Sequence, residues 1–450
     1  MENKEQTQTG KIQELHGIFK SCLDILRNDT EHLVGDEALI ELSHFIILKQ
    51  VERHIESGNI SIYNTELYKD GIEKYGSSKF MEYLEYIKFS RLVEYVKVEN
   101  NDIKHMFNEI LWKEILSKHE KFKDIFGNSK KSFIKNPITF RKIILILSAT
   151  NFDNYDYDIL GEAYERIFID AVFGAGANKK SELGQFFTPS KVKKVMVNLV
   201  NPRIVNGKIE SILDPASGTG GILISIIKHY KHIKSDVLTQ QKLTLQDLTQ
   251  QLIENIHGIE IKGKIYNLCL SNMLINTGEI LPHVICADSI RKFHDIKVDC
   301  IIANPPFSIA INYNELLELT NIDDYIPVKV GGKNSELLFL QIMIHYLKIG
   351  GRCTTVMLDG HKMYSSYCGY DKLREYLMKS CDLHKVILCP TGTFTSTSSK
   401  TCILFFTKKK ERKDVLTIGS DRTLTFIDSH ATEAVGFYNF NPITGENVFF

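Results

Sequence analysis

The chain has 450 residues, 43% hydrophobic and 24% charged, which is ordinary for a globular protein of two domains with a sizeable core. Lys+Arg and Asp+Glu both number 55, so the net charge is zero. That balance argues against a protein that grips nucleic acid tightly and alone, and places any basic surface locally or on another subunit. The nine cysteines form no Cys-x-x-Cys pair. Cys269, Cys300, Cys353 and Cys402 sit in apolar runs and read as reduced core residues, not disulfides or metal ligands. The polar start lacks a secretory apolar region, and no run approaches the ~18 apolar residues of a membrane span. The expectation is a cytoplasmic protein without membrane contact.

Residues 1 to about 160 read as mostly helical. Leu39, Leu42, Phe45, Ile46, Leu48 and Ile55 recur near a 3.6-residue period. Between Lys121 and Lys142, basic residues alternate with Phe122, Phe126, Phe133 and Phe140. This reads first as a solvated helix face over core aromatics and second as a phosphate-contacting patch. A helix starting at Asp158 runs into a glycine-bearing loop. There follow Gly184, Gln185, Phe186, Phe187, Thr188, Pro189 and Ser190, then an apolar-periodic helix to Val200. Thr188 or Ser190 is the expected cap of that helix, with Pro189 in its first turn.

From Ile209 strands alternate with helices, which implies a mainly parallel sheet. Ser211–Asp214 is the first strand, turning through Pro215, Ala216, Ser217, Gly218, Thr219, Gly220 and Gly221 into a helix. Such a turn brings a ligand close to backbone N–H groups at a helix start. No Gly-Lys-Ser/Thr ending follows, which excludes a Walker-type phosphate loop. Asp214 at the strand end favours a cationic ligand group over a pyrophosphate. The polar stretch 232–254 reads as an extended helix or insertion. Ile256–Glu260, His283–Asp288 and the run ending at Asn304 are the next strands. Together Asp214, Glu260, Asp288 and Asn304 place four polar groups along the carboxyl edge of the sheet, where open α/β sheets bind ligands. Asn304, Pro305, Pro306 and Phe307 make a stiff rim of one amide, bare carbonyls and a ring. It suits a planar group bearing an exocyclic amine. A helix over 335–349, a strand over 352–358 and a pair over 384–388 and 401–406 follow. The last two are joined too tightly for a crossover, so they should run antiparallel. Lys408–Lys413 reads as a solvated turn. The tail reads as short strands without a core of its own, exposing Phe437, Tyr438, Phe440, Phe449 and Phe450.

In that order, Gly184–Pro189, Asp214–Gly221, Glu260 and Asn304–Phe307 closely resemble the amino-group (N6-adenine) DNA methyltransferases. The likeness is closest to the modification subunit of type I restriction–modification systems. Leu160–Glu165, Lys348–Arg352, Val386–Phe406 and Val435–Asn439 look like that subunit too. Ser217 stands where relatives often carry Cys. The resemblance implies an α/β, S-adenosylmethionine-dependent methyltransferase with a Rossmann-like sheet, mostly parallel with an antiparallel hairpin at one edge. The implied division is a helical N-terminal domain (1–157), the methyltransferase domain (158–414) and a C-terminal tail (415–450) as a partner contact. It implies S-adenosyl-L-methionine as cofactor, its methionine part wrapped by Gln185, Phe186, Phe187, Thr188, Pro189, Ser190 and the Ser217, Gly218, Thr219, Gly220 turn. Asp214 is then placed at the amino group, Glu260 on the ribose and Asp288 by the adenine. Asn304, Pro305, Pro306 and Phe307 become the catalytic rim, and no metal is called for. Implied partners are double-stranded DNA, a specificity subunit and a restriction subunit. Cytosine N4 or a glutamine amide, and a non-catalytic DNA- or partner-binding role, remain open alternatives.

Overall fold

The computed structural model describes residues 2–29, 33, 36–56, 65–98, 102–120, 122–127, 131–173, 187–233, 235–279, 281–292, 294–307, 309, 311, 335–360, 369–394, 399–418, 424–427 and 430–449. The chain divides by packing into two units. One comprises Met1–Gly184 with Gly263–Ile280, the other Gln185–Lys262 with Leu281–Phe450.

The first unit is helical throughout its described residues, as the periodicity predicts. Its centre is the helix Asp36–Glu56. Of the predicted stripe, Leu39, Leu42, Phe45, Ile46 and Leu48 are fully buried and Ile55 is half-buried, and Ala38, Ile40, Glu41 and His44 are buried as well. This helix is therefore apolar-packed nearly all round, against Glu2–Arg27, Phe89–Lys97, Pro137–Ser148, Tyr157–Phe173 and Gly263–Thr277. Gly161 shows how tightly the last two cross. A Cβ there would lie 1.9 Å from Asn276 Oδ1, so no larger residue fits without separating the helices. In the basic stretch, Phe122, Phe126 and Phe140 are core residues, while Lys123, Lys131, Lys135 and Lys142 are exposed.

The second unit holds a nine-stranded sheet among the described residues. Its strands are β1 (Ile212–Asp214), β2 (Ile256–Glu260), β3 (Val284–Cys286), β4 (Val298–Ala303), β5 (Leu347–Leu358), β6 (Cys381–Cys389), β7 (Thr401–Lys408), β8 (Gly436–Phe440) and β9 (Asn447–Phe449). The spatial order is β9-β8-β6-β7-β5-β4-β1-β2-β3. From β5 through β4, β1 and β2 to β3 every pairing is parallel. β7 runs antiparallel to both β5 and β6, the hairpin expected from the short connection. Strand order reverses at β1 and β4. Crevices for ligands open at such a switch point, beyond the carboxyl ends of the strands.

Four local readings are corrected. The helix over 335–349 is Ser335–Tyr346, because Leu347 already pairs with Val298 and opens β5. Strand three is Val284–Cys286, and Asp288 lies in the turn beyond it. Lys408 is not a solvated turn residue: its buried Nζ donates to Leu347 O and pairs with Glu411. Phe440 is not an exposed tail residue: β8 joins the large sheet parallel to β6, and Phe440 is buried, while Phe437 is exposed as expected. Phe450 lies outside the described residues, as does the side chain of Phe449. The stretch 232–254 forms two helices, Ser235–Gln240 and Leu245–Asn255, the second opened by a Thr244–Asp247 capping box. The eight described cysteines are free thiols, and all but Cys286 are buried. No described helix is long and apolar enough to cross a membrane.

Candidate active site

The two edges of the sheet are electrostatically opposite. At the amino edge each acid has a cation. Arg352 donates to Glu210 at 2.6 Å, and Lys348 to Asp299 at 2.9 Å. Burial pushes both carboxyls up, but Arg352 and Arg203 at Glu210, and Lys348 with Ser211 at Asp299, outweigh it and hold both below the usual range. This edge is satisfied and reads as structure.

At the carboxyl edge Asp214 and Glu260 have no ion-pair partner among the described residues, whereas Asp288, beyond β3, pairs with Arg291. Asp214, the last residue of β1, is 1% exposed. Its Oδ1 accepts only from Ala216 N, at 3.1 Å, and its Oδ2 is buried without a partner among the described residues. Burial pushes the carboxyl up to about 7, against the Ala216 N–H, and the nearby Glu260 adds to the rise. Glu260, ending β2, is also buried and also raised by that burial. Its Oε2 accepts from Gly218 N at 3.0 Å and its Oε1 from Lys262 N at 2.8 Å. The Ile261 N–H also acts on this carboxyl. A carboxylate offers about four acceptor sites, so it keeps some capacity for a ligand donor. An unpaired buried carboxyl in a cleft is a functional-site signature, because isolated burial of charge is costly.

The glycine turn is held against β2. Ser217 N donates to Ile259 O, and Gly220 N closes the turn onto Ser217 O. Gly218 and Gly220 have φ of 53° and 80°, left-handed conformations that glycine adopts without penalty. Gly220 caps the helix Gly221–Lys231. Ser217 Oγ is buried and, like Asp214 Oδ2, has no partner among the described residues. Thr219 is buried beside it. Asp288 is differently placed: its Oδ1 takes the Ile290 and Arg291 N–H groups, and its Oδ2 pairs with Arg291 at 2.8 Å.

Gln185 and Phe186 lie outside the described residues. Phe187 is half-buried and Ser190 exposed. Neither Thr188 nor Ser190 caps the helix Ser190–Val200; the N-cap is Pro189, with no side-chain bond. Thr188 is instead turned to the rim. Its Oγ1 accepts from Asn304 Nδ2 at 3.0 Å, and Thr188 is buried. Asn304 follows β4 directly, and its Oδ1 is shut off from solvent without a partner among the described residues. Pro305 is buried, and Pro306 and Phe307 half-buried. The Pro306 carbonyl is not bare as expected, for it accepts from Ser335 Oγ at 3.0 Å. Ser335 also takes the Ile309 N–H, which ties the rim to the start of the helix Ser335–Tyr346.

Two residues escaped the sequence reading. Ser335 was taken only as a helix start. Lys193 is buried, its Nζ 5.8 Å from the Phe187 ring centroid and 3.3 Å from where a Cβ on Gly221 would lie. The signal for Lys193 was its place on the apolar face of the helix, four residues past Pro189.

A family model described as N-6 DNA methylase matches residues 155–446. A type I restriction enzyme EcoEI methylase subunit from Escherichia coli is 31% identical over 291 residues, 63% of this chain and 54% of that protein. A type I restriction enzyme StySPI methylase subunit from Salmonella potsdam is 28% identical over 288 residues, 61% of this chain and 50% of that protein. The chain thus spans about half the length of the curated relatives it matches. Among solved structures, the type I restriction-modification system methyltransferase subunit from Streptococcus thermophilus aligns with a TM-score of 0.65 at 17% identity, over 98% of this chain and 90% of that one. That likeness concerns the fold.

Proposed function

The chain belongs to the N-6 DNA methylase family, and we propose that it transfers a methyl group from S-adenosylmethionine to the N6 amine of adenine in DNA. The observation that carries this reading is the buried, unpartnered Oδ1 of Asn304, an acceptor at the sheet's carboxyl edge with no donor among the described residues. S-adenosylmethionine supplies an electrophilic methyl on a sulfonium. Asp214 Oδ2 and Ser217 Oγ, both buried without partners, fit an amino-acid-bearing cofactor: Asp214 would take its ammonium and Ser217 a polar atom of the same moiety. The remaining acceptor capacity of Glu260 suits a ribose hydroxyl. Asp288, already engaged by Arg291, keeps less capacity for the adenine amino group. The 185–190 segment would close over the methionine part, with Gly218, Thr219 and Gly220 below it.

An adenine amine is a poor nucleophile because its lone pair is shared with the ring. Asn304 Oδ1 and the Pro305 carbonyl would each accept one N6 hydrogen. Two acceptors on one side draw the nitrogen toward a pyramid and turn its lone pair to the methyl. The amine lone pair would take the methyl, with the sulfonium's bonding pair left on sulfur, and the methylated nitrogen would shed one hydrogen as a proton to solvent. Transfer then needs positioning and fixed dipoles, and no strong base. The target base must leave the duplex at a cost of a few kcal/mol, which stacking on Phe307 offsets in part. Specificity and restriction subunits are the proposed partners, and the cytoplasm, where DNA is reached, the proposed location.

The test is methylation of unmethylated duplex DNA with base-resolved product analysis. Wild type should yield N6-methyladenine. Asn304→Ala should abolish transfer and leave cofactor affinity nearly intact. N4-methylcytosine as the product, or turnover persisting in Asn304→Ala, refutes the reading.

A further inference from the structure

A side-chain amide has two ends of opposite polarity, an oxygen that accepts and a nitrogen that donates. The rim works in only one of its two orientations. With Oδ1 toward the ligand, Asn304 can take a hydrogen of an incoming amine. Turned over, it would set two N–H donors against an amine that itself offers donors. Neither Pro305 nor Pro306 has an N–H with which to select between these states.

The group that holds the nitrogen end of the amide is Thr188. Its Oγ1 lies 3.0 Å from Asn304 Nδ2 and accepts from it. Thr188 is buried and Asn304 half-buried, so the bond is partly shielded from competing water. The bond spans 116 residues of sequence, joining the segment before the helix Ser190–Val200 to the end of β4. Thr188 is free for this role because it does not cap its own helix: the N-cap, Pro189, receives no side-chain bond.

Resting on the proposed methyl transfer, we infer that Thr188 is a positioning residue for the reaction, holding the Asn304 amide with its oxygen toward the acceptor amine. The segment that encloses the cofactor thereby also sets the acceptor geometry. Displacing it disturbs both ends of the transfer at once.

The experiment compares Thr188→Val, Thr188→Ser and Asn304→Ala in the full chain, purified with the subunits that accompany it. Single-turnover transfer of tritiated methyl to unmethylated duplex DNA is read beside calorimetric affinity for S-adenosylmethionine. Valine keeps the shape and removes the acceptor. Thr188→Val should slow transfer about 10- to 100-fold, with cofactor affinity within about twofold of wild type. Thr188→Ser should recover most of the rate. In the Thr188→Val, Asn304→Ala double variant the loss should not exceed that of Asn304→Ala alone, since both act through one bond. Thr188→Val at the wild-type rate, or Thr188→Ser as slow as Thr188→Val, overturns the inference. Weakened cofactor binding in Thr188→Val overturns it too, making Thr188 a cofactor ligand. Should valine prevent folding, Thr188→Ala is read by the same criteria. Failure of the underlying function looks different, because Asn304→Ala would then retain the wild-type rate whatever happens at Thr188.

Discussion

Asp214 and Glu210 are four residues apart and titrate in opposite directions. Glu210 is held down by Arg352, while burial pushes Asp214 up to about 7 from an ordinary 3.8. For a raised acid the folded chain holds its proton more tightly than the unfolded one. Its contribution to stability is full below about pH 4 and is lost as pH rises toward 7. Three or so pKa units correspond to roughly 4 kcal/mol as an upper bound. Asp214→Asn removes this penalty. The thermal midpoint of the variant should therefore exceed that of wild type more at pH 8 than at pH 5, without ligand. Equal differences at both pH values would show that Asp214 is not a buried acid in solution. A cationic ligand group favours the ionised form, so cofactor affinity should rise between pH 5.5 and 7.5 in wild type and flatten in Asp214→Asn. The sequence alone placed Asp214, Glu260 and Asn304 at the ends of strands, because a strand that ends in a polar residue marks one edge whatever its neighbours. It could not show that Arg291 occupies Asp288, that Ser335 ties Pro306 or that Thr188 faces Asn304. The last two contacts join residues 29 and 116 positions apart, and local pattern carries no such information.

Elements were legible where one periodicity ruled and misread where two competed. β2 falls on the predicted residues, Ile256–Glu260, because β-branched residues and the turn signals beyond agree. The helix before β5 was drawn three residues too long, since its apolar run continues into the strand and only the pairing of Leu347 with Val298 decides the boundary. The short strands of the tail are legible, but not where they pair: β8 lies beside β6 across about fifty residues, and local pattern does not report that partner. Once β8 is a sheet strand, Phe440 is a core residue at 4% exposure. Phe440→Ala should then destabilise the chain by about 3 kcal/mol, the low end for a buried Phe truncation. Urea unfolding at constant m-value measures this. A change below about 0.5 kcal/mol, typical of an exposed site, would return Phe440 to the exposed tail residue read from sequence.

The whole molecule is neutral, with 55 basic and 55 acidic side chains. Affinity of a protein for duplex DNA comes mostly from neutralised phosphates, and each costs a displaced counterion whose release weakens as salt rises. Sequence choice needs something further, side chains that reach base edges. Among the described residues of 121–142, the stretch richest in basic residues with aromatics, the only half-buried ring is Phe133, with Lys264 over it, so little stacking surface is offered. Phe122, Phe126 and Phe140 are buried in the helical core, which leaves Lys123, Lys131, Lys135 and Lys142 as point charges. Lysines arrayed in this way attract any phosphate backbone alike. The expectation is that the proposed enzyme takes its recognition sequence from a partner, as the specificity subunit proposed above would provide. The chain alone should bind duplex DNA weakly, with a dissociation constant near 10⁻⁴ to 10⁻⁶ M at physiological salt, the range of non-specific complexes. Log affinity should fall linearly with log salt, and recognition-site and scrambled duplexes should titrate together. Lys131→Glu with Lys135→Glu should flatten the salt slope equally on both duplexes. Fluorescence anisotropy across a salt series decides the matter. Nanomolar binding that separates the two duplexes would mean that this chain reads DNA by itself, and the partner would then have some task other than recognition.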